Sequence, residues 1–182
     1  MSYTPMGDLG QQGLFDITRT LLQQPDLAAL SETLAQLAKQ SALADSAAII
    51  LLQPGNQRAG YYATREAGIT LAYEDDNLLA NGPVRRLLSR PDALHCSYSE
   101  FSEAWPQLAK SELYSPFGHY CLLPLAAEGR IFGGCEFIRQ NDQPWTEKEY
   151  QRLHTFTQII AVVTEQIQSR VTNNVDYDLL CH

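Results

Sequence analysis

Two histidines, three cysteines and a glutamate sit in apolar surroundings. His95 and Cys96 lie in the run Leu94 to Tyr98, and His119, Cys121, Cys135 and Glu136 lie within GHYCLLPLAAEGRIFGGCEFI at residues 118–138. Imidazole, thiolate and carboxylate are acceptable iron or zinc ligands, and the same groups donate or accept hydrogen bonds to a small molecule. Buried without partners, each would destabilise the fold by about 1–3 kcal/mol, so strand-like sequence that keeps them must supply neighbours. A two-residue turn at Glu128-Gly129 pairs Cys121 with Glu136 and Leu123 with Gly134. His119, Cys121, Gly134 and Glu136 then share one face, where the glycine leaves room for something to approach. Tyr120, Leu122, Ile131, Cys135 and Phe137 share the other face and pack on the terminal helices. A three-residue turn sets Cys121 opposite Cys135 instead, and both registers stay open. Plainer roles compete: a satisfied, partly buried His119, a Glu136 pointing to water, and Cys121 and Cys135 as small core hydrophobes without a neighbouring cation.

Anion recognition has separate candidates. Asn81-Gly82-Pro83-Val84 reads as a helix start with Asn81 as N-cap, so Gly82 and its successors offer backbone N–H groups and a favourable dipole. Arg85 and Arg86 occupy the first turn, and a guanidinium fork binds a carboxylate through two parallel hydrogen bonds. At least one of them is expected to turn inward. Tyr62 and Arg65, on opposite faces of an earlier strand, complete the set.

The elements that must position these groups follow from periodicity. Leu14, Ile17, Leu21 and Leu22 recur at helical spacing, as do Leu27, Leu30, Leu34 and Leu37 after Gln24-Pro25. Ser46 to Gln53 is a nearly continuous apolar strand ended by Pro54-Gly55, and Arg58 to Arg65 answers it, giving a hairpin at the sheet's centre. Ile69 to Tyr73 adds an edge strand. The Asn81 helix stops at Arg90-Pro91, Leu94 to Tyr98 is a short strand, and a second small helix runs from Phe101 to Leu108 around Trp105. Thr146 and Glu149 form a capping box opening a long helix with Tyr150, Leu153, Phe156, Ile160, Val163 and Ile167 on one side. An antiparallel sheet with helices before, between and after its hairpins is an α+β domain. The single domain spans residues 1–170, and residues 171–182 read as the start of a linker to a continuing chain.

Bulk properties remove several functions. The chain has 182 residues, 13 Lys and Arg against 21 Asp and Glu, and a net charge of -8, which opposes direct contact with nucleic acid or anionic lipid. No apolar run reaches the roughly 20 residues of a membrane span, and MSYTPMGDLG lacks the form of a signal peptide, so a cytoplasmic location is expected. Cysteines at 96, 121, 135 and 181 show no C-x-x-C spacing and read as free thiols. Neither a phosphate-cradling G-x-x-x-x-G-K-[ST] nor a nucleophile–base motif occurs, so neither ATP hydrolysis nor any other catalysis is expected.

The element order, the x-x-P-L at Leu122 to Leu125, the turn glycine Gly129 and I-F-G-G-C-E-F before a capped helix together resemble a GAF domain. The opening MSYTPMGDLGQQGLFDITRTLLQQPDLA, the central SRPDALHCSYSEF and FGHYCLLPLAAEGRIFGGCEFIRQ through TEQIQSRV resemble, more specifically, the N-terminal part of a formate-responsive family of sigma-54-dependent activators. In that family two GAF domains precede an AAA+ ATPase and a helix-turn-helix domain, and formate is the inducing ligand. The resemblance implies a signal-input domain without a cofactor, partnered by a small anion and by a downstream ATPase domain of the same parent chain. Short lid helices are expected over one sheet face and the terminal helices over the other, with a homodimer formed through the terminal helices. Formate's three heavy atoms bound its dissociation constant at no tighter than about 0.5 mM. Two other classes stay in view. One is a metal or redox sensor built on His95, Cys96, His119, Cys121 and Glu136; the other is a ligand-free dimerising module with Phe101, Trp105 and Phe117 filling its pocket.

Overall fold

The computed structural model describes residues 11–52, 59–64, 70–75, 81–111 and 113–180. Two helices, α1 (Gln11–Leu22) and α2 (Leu27–Gln40), precede strands β1 (Ser46–Leu52), β2 (Ala59–Thr64) and β3 (Thr70–Asp75). Three short helices follow around β4 (Leu94–Ser97): α3 (Pro83–Ser89), α4 (Tyr98–Ala104) and α5 (Pro106–Ala109). A hairpin of β5 (His119–Ala127) and β6 (Arg130–Arg139) leads to α6 (Glu147–Leu180). The Pro54-Gly55 turn, Arg65 and Cys181 lie outside the described residues. The helix expected over Phe101 to Leu108 divides at Trp105, where Pro106 ends one ladder and starts another.

The six strands form one antiparallel sheet in the order β3-β2-β1-β6-β5-β4. Its central pair is therefore β1 with β6, and the β1–β2 hairpin expected there is displaced one step outward. Both central strands are covered on two sides, which suits the unbroken apolar run of β1, SAAIILL. Below the sheet, α1, α2 and α6 bury Leu21, Leu30, Leu34, Leu153, Phe156 and Ile160 against Ala47, Ile49 and Leu51 of β1 and the inward side chains of β5 and β6. Above it, α3, α4 and α5 act as a lid, packing Val84, Leu87, Phe101 and Leu108 on Ala48, Ile50, Tyr61, Leu94 and Leu122.

The register of the β5–β6 hairpin corrects the sequence expectation. The Glu128-Gly129 turn is present, with φ of 49° and 76°, the left-handed pair a two-residue hairpin loop requires. Beside the turn, Ala127 faces Arg130 and Ala126 faces Ile131, but an irregularity between Leu125 and Ala126 shifts everything beyond it by one residue. Cys121 thus faces Phe137, and Leu122 faces Glu136. Because side chains alternate faces, the shift carries Glu136 away from the side of His119 and Cys121. Cys121, Leu123, Cys135 and Phe137 join the terminal-helix core, while Tyr120 and Leu122 join the lid core.

Arg139 ties the end of β6 to two loops and to α6. Its guanidinium donates to the carbonyls of Leu43, Ala42, Gln143 and Pro144 and pairs with Glu149 at 2.6 Å. Glu149 closes the capping box with Thr146, whose N–H and hydroxyl each donate to it at 2.8 Å. Partial burial pushes the Glu149 carboxyl up, yet the bonds from Arg139 and Thr146 outweigh this and hold it low.

Candidate functional site

The strongest concentration of buried polarity lies under the lid, at Glu136. Its carboxylate is 1% exposed and accepts hydrogen bonds from the hydroxyls of Tyr61 at 2.8 Å and Tyr114 at 2.5 Å. Each comes from a different place: Glu136 from β6, Tyr61 from β2, and Tyr114 from the segment between α5 and β5. Space for the carboxylate comes from the small Ala48, its neighbour across β1. The hydroxyl of Tyr120, fully buried on β5, lies close enough to the carboxyl to interact with it but falls outside hydrogen-bond geometry. Around these groups stand Phe101, Phe117 and Trp105, with ring centroids of Phe101 lying 5.0–5.4 Å from those of Trp105, Tyr114, Phe117 and Tyr120.

Burial pushes the Glu136 carboxyl above the usual glutamate range, and the phenol bonds only partly offset this. The same desolvation, with the carboxylate beside them, raises Tyr114 and Tyr120, so both remain protonated donors. Among the described residues, the Glu136 carboxyl is matched by phenol dipoles rather than by a cation. Chemically it is a buried carboxyl of the chain itself, held by two phenol donors within the packed lid core.

The residues singled out by sequence distribute over three places. Glu136 and Cys96 face the lid core, with Gly82 buried at its rim as the N-cap of α3. Asn81, the expected cap, instead accepts a bond from Arg85 at 3.3 Å. Arg85 and Arg86 are both exposed, against the expectation that one turns inward: Pro83, Val84 and Leu87 form the buried stripe of α3 and leave the two arginines on its outer side. The opening anticipated at Gly134 is filled, since an added Cβ there would meet Leu122 Cδ1 at 2.7 Å and Leu87 Cδ1 at 3.2 Å. Cys121 and Tyr62 belong to the terminal-helix core, and the main-chain carbonyl of Tyr62 accepts from Ser31 at 2.9 Å. Glu136 is thus neither water-facing nor beside Cys121. Tyr61, Tyr114 and Tyr120 went unmarked as site residues because nothing local in a tyrosine's sequence reports a carboxylate 75 or 22 residues away.

His95 and His119 come together on the opposite face, at the β4 edge beside the start of α6. They line a half-open cleft of about 280 Å³ with Trp145, Glu147 and Tyr150. The His95 ring lies 4.9 Å from that of Tyr150, tilted by 56°, and burial lowers its pKa, favouring the neutral imidazole. Cys96 and Glu136 face the lid while His95, His119 and Cys121 face the helices, so the five potential metal ligands do not converge. Among the described residues no group of three or more such side chains is placed to hold a metal ion. Burial pushes the Cys96 thiol up to about 12 and raises Cys121 and Cys135 as well, the opposite of a reactive thiolate. No described helix is long and apolar enough to cross a membrane.

The chain is 77% identical over 181 residues, all of its length, to the formate hydrogenlyase transcriptional activator of Salmonella typhimurium, and 72% identical to that of Escherichia coli K12. It spans about a quarter of these curated relatives, 26% of each, matching their N-terminal region. Among solved structures, the GAF domain of an Acinetobacter phosphoenolpyruvate-protein phosphotransferase superposes with a TM-score of 0.66 at 15% identity, covering 90% of this chain and 97% of that one. A free methionine-R-sulfoxide reductase from Neisseria meningitidis, in complex with its substrate, superposes at 0.59 with 14% identity, covering 86% and 89%. The fold is therefore that of a GAF domain. No protein-family model matches the chain.

Proposed function

We propose that this chain is the formate-sensing region of a sigma-54-dependent transcriptional activator, with formate received in the Glu136 chamber beneath the lid and no catalysis of its own. The observation that carries the reading is the buried Glu136 carboxyl bonded by two phenols beneath the lid, in a chain 77% identical throughout to activators named for formate hydrogenlyase. Tyr61, Tyr114 and the unpaired hydroxyl of Tyr120 are donors of the kind a small carboxylate needs, in surroundings dry enough to strengthen each bond. Glu136 and Cys96 belong to this site in the proposal, with Gly82 at its rim. The His95–His119 cleft, Cys121 and Tyr62 lie outside it, and Arg85 and Arg86 supply positive charge near its outer edge.

Formate binding acts by favouring one lid arrangement, so its output is bounded by its differential affinity for the two arrangements. In the parent protein the receiver is a downstream ATPase domain, reached through α6, and two copies pair through the terminal helices. The partly exposed Leu14, Phe15, Leu22 and Val162 on α1 and α6 support that pairing. A ligand-free module is the second reading, favoured by the aromatic side chains packed around Phe101. Amide chemical shifts followed during formate titration to tens of millimolar, with chloride, acetate and nitrate as controls, test the choice. Saturable, formate-selective shifts at Tyr61, Tyr114, Tyr120 and Glu136 support sensing here; shifts equal to those with chloride assign recognition elsewhere and leave the ligand-free module.

A further inference from the structure

The sheet's other face carries an open cleft of different chemistry. Its volume is about 280 Å³, with His95 and His119 on the sheet side and Trp145, Glu147 and Tyr150 on the α6 side. Strand register puts the two histidines on one face as diagonal neighbours, since His95 faces Cys121 and His119 faces Ser97. On α6, Glu147 and Tyr150 are three residues apart and share a side, and the Thr146–Glu149 capping box holds the turn that presents them. Three rings wall the cleft: the His95 centroid lies 4.9 Å from that of Tyr150 and 6.4 Å from that of Trp145, tilted by 56° and 59° rather than stacked flat.

Aromatic faces carry negative potential and attract cations. Trp145 already takes one, because the Arg139 guanidinium carbon lies 5.0 Å from its ring centroid; that charge is matched by Glu149 at 2.6 Å and lies outside the cleft. The charges around the cleft itself are mainly acidic. Glu147 is exposed at its rim, bonded at 2.7 Å by the neutral amide of Gln151, while exposed Asp92 acts on Tyr150 and exposed Glu100 acts on His119. Lys148 is exposed and does not line the cleft. Burial keeps His95 neutral near pH 7, so its ring adds a wall without a repelling charge. An anion would meet carboxylates here, and a bare metal ion would find no group of three ligands among the described residues. We propose that this cleft is a second binding site, apart from the Glu136 chamber, which takes a small alkylammonium ion between the β4 edge and the first turns of α6. Its methyl groups pack on Trp145, Tyr150 and His95, and its charge lies toward Glu147. Because such a ligand bridges sheet and helix, it fastens the start of α6 to β4.

Titration of the 182-residue chain with choline chloride to tens of millimolar at pH 8, following amide and indole N–H chemical shifts, tests this. Sodium chloride at equal concentration is the ionic-strength control, and 3,3-dimethylbutan-1-ol is the neutral probe of the same shape. Choline should give saturable shifts at His95, His119, Trp145 and Tyr150, and the neutral alcohol should bind roughly threefold to tenfold more weakly. Glu147→Gln, an exposed substitution that keeps the shape, should weaken choline binding about threefold. Tyr150→Leu, which replaces a ring by an aliphatic wall, should weaken it by about the same factor. Choline shifts equal to those with sodium chloride overturn the proposal. Equal affinity for choline and its neutral isostere overturns it as well, because the cleft would then take apolar groups without regard to charge. So does unchanged choline affinity in Glu147→Gln, a result that stands whether or not Tyr150→Leu folds.

Discussion

Tyr114 and Tyr120 are two buried tyrosines of the same aromatic cluster, 6% and 0% exposed, and the same substitution should affect them in opposite senses. Tyr114→Phe removes a donor from the buried Glu136 carboxylate. A hydrogen bond to a charged group contributes about 1.5–3 kcal/mol, and Glu136 is 1% exposed, so stability should fall by about that amount. Tyr120→Phe removes a hydroxyl that is desolvated and unpaired. Its burial costs about 1–3 kcal/mol on the mutational scale, and cavity and dispersion changes are small for loss of one oxygen, so the variant should be unchanged or up to about 1 kcal/mol more stable. In a chain of this length the first change corresponds to a drop of about 3–12 °C in Tm and the second to a rise of a few degrees at most. Urea unfolding followed by far-ultraviolet circular dichroism, with the slope m unchanged, measures both. If Tyr120→Phe were as destabilising as Tyr114→Phe, the Tyr120 hydroxyl would bond to Glu136 after all and the chamber would have no vacant donor. If Tyr114→Phe were neutral, the carboxylate would not depend on its phenols.

Three other outcomes follow from the same structure. Because the Glu136 carboxyl is raised in the folded state, the native protein holds this proton to higher pH than the unfolded chain. Stability should therefore decline from about pH 4.3 upward, by at most about 1.4 kcal/mol per pH unit until the folded-state pKa is passed. Denaturant midpoints for wild type minus Glu136→Gln isolate this slope from Glu149, whose lowered carboxyl acts in the opposite sense. Gly133→Ala should lose about 1–3 kcal/mol, because its Cβ would sit 2.2 Å from the Ile50 carbonyl oxygen; Gly134→Ala, opposed by the movable end of Leu122, should lose less, and thermal unfolding ranks the two. Arg139→Met should cost about 3 kcal/mol in the same assay, since it removes the cation paired with Glu149 and the guanidinium donor to the Ala42 carbonyl, leaving Trp145 as donor to Leu43 and Thr146 as donor to Glu149.

The fold was legible wherever a signal is local. Apolar spacing marked α1, α2 and α6, Thr146 and Glu149 marked the start of α6 through a box that forms as read, and Glu128-Gly129 marked the hairpin turn. The site was less legible because it depends on parity. The extra residue on β6, Phe132 between Ile131 opposite Ala126 and Gly133 opposite Leu125, leaves no imprint that periodicity can detect, yet it decides which face receives every polar side chain beyond it. The same kind of alternation put Tyr61 in the chamber and Tyr62 in the opposite core. Arg85 and Arg86 carried the right chemistry for an anion, but the apolar stripe Pro83, Val84 and Leu87 fixed the rotation of α3 and turned them out.

Helix α6 has 34 residues, and at 1.5 Å per residue it is about 51 Å long. Arg139 and the capping box fix its first turn, and among the side chains described along it the last buried one is Ile167. Mechanically it is a lever with its fulcrum at one end: a tilt of about 5° around Trp145 carries Leu180 sideways by about 4 Å over a rod of this length. An adjustment of β6 too small to disturb the packing around Glu136 would thus be magnified along the helix into a displacement comparable to one residue's rise in a strand.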